Sequence, residues 1–140
     1  MPPKEIIHAA GMLPVGIHGN GTIEIIRGDA YYQSYICHLP RSVVELAESH
    51  RLDFLSAALF PSTCDVIRNL SGMWQIMFPE MYVRYLDLPQ VADTELGARF
   101  WQREMSVIRE ALGKIADVNV DDERLRASVA VYNDVRKVIA

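Results

Sequence analysis

Apolar positions along this chain follow two regimes. Through residue 90 they fall in short runs that stop at glycine or proline. Glu5-Ile6-Ile7-His8-Ala9-Ala10 and Phe54-Leu55-Ser56-Ala57-Ala58-Leu59-Phe60 read as buried strands, and Tyr82-Val83-Arg84-Tyr85-Leu86, ahead of Pro89, reads as a third. Between them the spacing turns helical. Val43, Val44 and Ala47 share one face, and over residues 65–77 Val66, Ile67, Leu70, Trp74 and Met77 do the same, with Gly72 the weak point. Strands alternating with helices describe a parallel sheet joined by crossover helices.

Beyond Pro89 the pattern lengthens. Leu96, Phe100, Val107, Ile108, Leu112 and Ile115 outline a long amphipathic helix with Asp93 as its expected N-cap. Asp121 or Asp122 then caps a second helix whose stripe is Leu125, Val129, Tyr132 and Ile139, expected to pack on the sheet or on a neighbour outside the chain. Residues 91–140 carry 17 charged side chains against 15 in the first 90, as solvated helix faces require. The expected fold is therefore α/β: a three-layer, Rossmann- or flavodoxin-like domain with a mostly parallel sheet, plus long C-terminal helices. Residues 1–140 form one such domain with no internal repeat, and the helical pattern still running at Ala140 suggests a longer parent.

Composition narrows the function classes. At 140 residues, half of them hydrophobic, the chain is long enough for an ordinary core, which excludes disorder and a disulfide scaffold. A net charge of −4 argues against polyanionic partners, so neither nucleic acid nor an acidic membrane surface is expected. The apolar runs are broken by Arg27, Asp53, Arg68 and Glu80, too often for a membrane span. The first residues lack a secretory leader, from which a cytoplasmic location is expected. In that compartment Cys37 and Cys64 are thiols or metal ligands rather than a disulfide.

Both cysteines fall in loops beside the expected sheet. Cys64 follows the strand that ends Phe60-Pro61, and Cys37 precedes a helix beginning near Arg41. Ligands of open α/β sheets collect where such loops and helix N-termini converge, and a helix N-terminus favours the thiolate, the form that binds iron. Two sulfurs separated by 26 residues match no short-spaced metal motif, however, and on spacing alone inert, partly buried packing thiols are the better account of the pair, with metal ligation the alternative. His8 reads as a strand or core histidine and His50 as a surface one. His18 and His38 are placed for polar work, although loop exposure explains both. Gly16-Ile17-His18-Gly19-Asn20-Gly21 has the wrong glycine order for a dinucleotide loop and reads either as a ligand-approach segment or as an ordinary turn. Asp65 and Arg68 are either site residues or a helix-start pair.

Three ordered blocks add what spacing does not: Ala9-Ala10-Gly11-Met12-Leu13-Pro14-Val15-Gly16, Ser34-Tyr35-Ile36-Cys37-His38-Leu39-Pro40-Arg41-Ser42 and Phe60-Pro61-Ser62-Thr63-Cys64-Asp65. Together with Asn69-Leu70, Leu88-Pro89 and Tyr132-Asn133-Asp134-Val135-Arg136, the chain resembles the benzoyl-CoA reductase and 2-hydroxyacyl-CoA dehydratase family over nearly its whole length. The wording around Cys37 and the segment Asp65-Val66-Ile67-Arg68-Asn69-Leu70 are more similar to the ATP-dependent benzoyl-CoA reductases than to the dehydratases.

The resemblance implies a catalytic subunit of two similar α/β domains that holds a 4Fe-4S cluster through three cysteines, with acyl-CoA bound nearby. Cys37 and Cys64 match the two ligands of the first domain; the third lies outside this chain, so the 140 residues alone are expected to be inactive. It further implies a second catalytic subunit, and an ATP-dependent activator with ferredoxin upstream that delivers low-potential electrons for reduction of an aromatic acyl-CoA ring, as in anaerobic aromatic degradation. On the substrate side the candidates are the Gly11 to Gly21 loop, with Pro14, Gly16 and Gly19 as binding positions and His18 and Asn20 as catalytic donors, together with Asp65 and Arg68. The alternatives are a dehydratase subunit working through a ketyl radical, and a non-catalytic α/β interaction module.

Overall fold

A computed structural model describes residues 3–19, 22–91 and 93–139. Six helices and two strands follow in the order α1 (Lys4–Ala9), α2 (Gly28–Tyr31), α3 (His38–Glu48), β1 (Ala57–Pro61), α4 (Asp65–Met77), β2 (Tyr82–Leu86), α5 (Glu95–Ala116) and α6 (Asp122–Ile139) among these residues. The chain divides into two compact units, one of residues 15–85 and the other of residues 1–14 with 86–140.

The first of these units is the α/β part. Strands β1 and β2 pair in parallel, with α4 as the crossover between them. Of the three strands expected from the sequence, two are therefore present, and the expected crossover over residues 65–77 coincides with α4. Val43, Val44 and Ala47 of α3 meet Leu52, Leu70 and Trp74 in one core cluster, with Ile67, Met77 and Phe60 packed around it. Trp74 is its largest member. Its ring lies 5.6 Å from Phe60 and 5.0 Å from Phe78, and its Nε1–H donates to Met81 Sδ at 3.4 Å. Burying a side chain of this size stabilises the fold by about 2–3 kcal/mol. Gly72 sits on the exposed side of α4 with open space around its Cα, so it costs helix propensity and no packing.

Helix α2 has only four residues, and α3 holds it in place. Glu45 Oε2 accepts the backbone N–H groups of Ile26, Arg27 and Gly28 at 2.9, 2.6 and 3.0 Å, which supplies the otherwise unsatisfied donors of this helix start. Arg41 pairs with Asp29, and the Tyr31 hydroxyl donates to Glu48 Oε1 at 3.1 Å.

The other unit is helical and corrects the first expected strand. Glu5-Ile6-Ile7-His8-Ala9-Ala10 is not a strand: Lys4–Ala9 is α1. The reason is visible in its burial, since Ile6, Ala9 and Ala10 are covered at positions i, i+3 and i+4 while His8 is exposed. Gly11, at φ +78°, ends the helix: its N–H donates to His8 O at 2.8 Å and that of Met12 to Ile7 O at 3.1 Å, a pair of bonds that requires a left-handed residue. Helix α1 packs against both α5 and α6. The terminal helix thus rests on α1, where the sequence suggested the sheet or an outside neighbour.

His8 is accordingly no core histidine. Ser128 Oγ donates to Glu5 O at 2.7 Å, so its single proton is committed, and the 3.0 Å contact to His8 Nδ1 is one in which His8 donates. The cap of α5 is Thr94, whose Oγ1 accepts from Gly97 N–H at 3.0 Å, and not the neighbouring Asp93. Asp121 caps α6 through the Arg124 N–H at 2.9 Å. No helix among the described residues is long and apolar enough to cross a membrane.

Candidate functional site

Two helix starts in the α/β unit each carry a cysteine. Cys37 is the N-cap of α3 and Cys64 the N-cap of α4, and both are exposed. The helix at Cys37 begins three residues earlier than expected, at His38, which brings the thiol onto the cap itself. Neither cap side chain is used in a capping hydrogen bond, so both sulfurs are left available beside groups of free backbone N–H donors. Helices α3 and α4 pack on one another, which puts the two starts in one compact unit.

Tyr32, immediately after α2, tucks its ring against the α3–α4 core, and its hydroxyl is buried with no hydrogen-bond partner among the described residues. Burial, first of all, pushes the Tyr32 hydroxyl above its ordinary pKa. The hydroxyl thus keeps its proton. Nothing in the local spacing of the sequence singles it out; the one clue is a tyrosine pair, Tyr31-Tyr32, shortly before the first cysteine.

The glycine loop reaches the same helix start. Gly19, at φ +70°, lies so close to the first turn of α3 that a Cβ would collide with Ser42 Oγ and come within 3.5 Å of Leu39 O. Both the backbone conformation and the close approach call for glycine there. The His18 ring turns back over its own loop, with Nε2 against Gly16. Gly19 therefore belongs to the surroundings of the α3 start, Gly16 and His18 lie in the same unit, and Pro14 belongs to the other one. Asn20, the second expected donor, lies outside the described residues.

Asp65 opens α4 directly after Cys64, and both Asp65 and Arg68 are exposed. The Arg68 guanidinium lies 5.2 Å from the centre of the Tyr85 ring, a cation–π geometry. Among the described residues no three His, Cys, Asp or Glu side chains gather as a metal site. A cleft of about 370 Å³ lies between Arg109 and Val120 at the end of α5, in the helical unit, and contains neither cysteine.

The family described as 2-hydroxyglutaryl-CoA dehydratase, D-component, matches residues 1–140. A benzoyl-CoA reductase subunit from Thauera aromatica is 54% identical over 138 residues, 98% of this chain and 36% of the relative. Lactoyl-CoA dehydratase subunit beta of Anaerotignum propionicum is 31% identical over 137 residues, 98% of this chain and 36% of the relative. (R)-2-hydroxyglutaryl-CoA dehydratase, subunit beta, of Acidaminococcus fermentans is 28% identical over 135 residues, 96% and 36% respectively. The chain spans about a third of the length of these curated relatives.

Proposed function

The chain belongs to the 2-hydroxyglutaryl-CoA dehydratase D-component family, and from that premise we propose that it is the N-terminal, cluster-binding part of a longer catalytic subunit that reduces benzoyl-CoA or a similar aromatic acyl-CoA. The observation that carries the reductase over the dehydratase is the contrast in identity: 54% to a benzoyl-CoA reductase subunit against 31% and 28% to two dehydratase subunits.

Cys37 and Cys64 would hold a 4Fe-4S cluster, with a third cysteine from beyond these residues. The residues present fit that group. Two exposed thiols stand at helix N-termini, neither used in a capping hydrogen bond. Such a cluster supplies one-electron chemistry at low potential. This chain's own residues contribute the rest: the α3 and α4 starts fix the two sulfurs on rigid elements, and the glycine loop gives backbone and His18 access to a ligand beside α3. His18 and Asn20 are assigned as hydrogen-bond donors to the acyl-CoA carbonyl, where negative charge develops on reduction. Pro14, Gly16, Gly19, Asp65 and Arg68 are assigned to substrate binding.

The relatives are named as subunits, which supports a second catalytic subunit as partner here too. Electrons would come from an ATP-dependent activator fed by ferredoxin, with ATP on the activator. The dehydratase relatives support a second reading, in which the same site eliminates water from a 2-hydroxyacyl-CoA. Supplying the full-length subunit, its partner and activator with benzoyl-CoA and, separately, with 2-hydroxyacyl-CoA thioesters distinguishes the two. Ring reduction of benzoyl-CoA is expected; dehydration alone would overturn the reductase reading.

A further inference from the structure

Three faces divide helix α6. One packs on α1: Ser128 Oγ donates to Glu5 O, the Tyr132 ring stands edge-on to His8 with centres 5.7 Å apart, and Arg136 pairs with Glu5. A second is charged, with Glu123, Arg126, Asp134 and Lys137 exposed and Lys137 Nζ 2.9 Å from Asp134. The third is a row of small apolar side chains, Ala127, Val131, Val135 and Val138, whose helical spacing keeps them on one flank. Val131, Val135 and Val138 are 48%, 43% and 87% exposed, and Ile139, one turn beyond Val135, is 79% exposed. Valine is a poor helix former and its side chain gains nothing from water, so the helix itself does not explain three of them exposed on one flank. Single exposed apolar side chains such as Ile76 on α4 are ordinary, whereas a continuous row marks a surface that something covers.

We propose that this flank is the docking surface for the part of the same subunit that follows residue 140. The inference rests on the reading of the chain as the N-terminal part of a longer catalytic subunit. This chain matches 36% of each relative, so most of such a subunit lies beyond these residues. Exposure is greatest at Val138 and Ile139, the end of α6 from which that segment continues. Size points the same way. Four side chains and Ile139 fall far short of the roughly 20–30 residues a side of a stable interface between separate chains. A covalently attached segment needs less, because its high effective concentration offsets a small area. A second copy or a separate subunit is therefore the poorer fit. Because the row holds only small, uncharged side chains, the surface that meets it is apolar and comes close to the helix.

The test uses the full-length subunit in its native complex. Photoreactive p-benzoylphenylalanine in place of Val138 is irradiated, and the cross-linked peptides are identified by mass spectrometry. The expected product joins residue 138 to a peptide beyond residue 140 and leaves the subunit at its own mass on a denaturing gel. A cross-link to another subunit or to a second copy, which raises that mass, or no cross-link at all, would overturn the docking. Val135→Cys probes the same flank with a small side chain. Its thiol is expected to react with a maleimide at least about tenfold more slowly than that of Lys137→Cys on the charged face, since reaction then waits on local opening. Reduction of benzoyl-CoA by the unmodified complex reads the underlying assignment separately. Equal labelling rates with ring reduction intact overturn the docking alone; slow labelling and the internal cross-link without ring reduction overturn the reductase reading and leave the docking standing.

Discussion

Glu45 Oε2 lies 3.0 Å from the backbone nitrogen of Gly28, and the same oxygen accepts from Arg27 and Ile26. One buried carboxylate thereby fixes the entry into α2 and, four residues on, the position of Tyr32. The bond from Gly28 is the largest influence on this carboxyl; with those from Ile26 and Arg27 it holds the group below its ordinary pKa of 4.5, against the opposing effect of burial. The unfolded chain therefore binds more protons than the folded one below that value. This stabilisation is complete above about 4.5 and is lost as pH falls through the lower, folded value. Urea denaturation between pH 3 and 7 is expected to show stability falling on the acid side, with a shallower fall in Glu45→Gln. Glu45→Ala, which strands three backbone donors, is expected to cost on the order of 2 kcal/mol at neutral pH.

Ser128 is the polar link between the first helix and the last. Its hydroxyl donates to Glu5 O and accepts from His8 Nδ1, and the residue is 1% exposed. Ser128→Ala leaves both partners without their bond in a covered position. A loss of about 1–3 kcal/mol is expected, seen as a lower thermal midpoint, with Ser106→Ala on the exposed face of α5 as the control that leaves it unchanged.

Helix α5 ends on a non-glycine residue in the left-handed region. Asp117, at φ +53°, donates its N–H to Lys114 O at 3.4 Å while Val118 donates to Gly113 O at 2.9 Å. Gly11 serves the same purpose at the end of α1 without the Cβ penalty. Asp117→Gly is therefore expected to stabilise the protein by about 0.5–1 kcal/mol, a rise of about 3 °C in the thermal midpoint. A fall would show that the Asp117 side chain does something the backbone does not require.

Local periodicity is enough to find α4 to the residue, β2 to the residue and the loop that carries Cys64, because each is bounded by a proline, a glycine or a change in spacing. It fails at α1. Six residues of mostly apolar sequence fit a buried strand and a helix alike, and what decides is the glycine after Ala10 and the covering of Ile6, Ala9 and Ala10 by distant helices. Thr94 and Asp93 are both good caps, and geometry alone chooses between them. Both cysteines and the glycine loop are legible as candidates. Tyr32 and Glu45 are not, since each acts through partners brought to it by folding: Tyr32 through the α3–α4 core, and Glu45 through a segment 17 to 19 residues upstream.

The central claim is that Cys37 and Cys64 are two ligands of one iron–sulfur cluster in the longer subunit. Iron and sulfide per subunit, together with the Mössbauer spectrum, measured on anaerobically purified full-length protein beside its Cys37→Ser and Cys64→Ser forms, tests it most directly. The account predicts that each substitution removes or severely depletes the cluster signal while the protein remains folded; wild-type iron with an unchanged spectrum in both would contradict it.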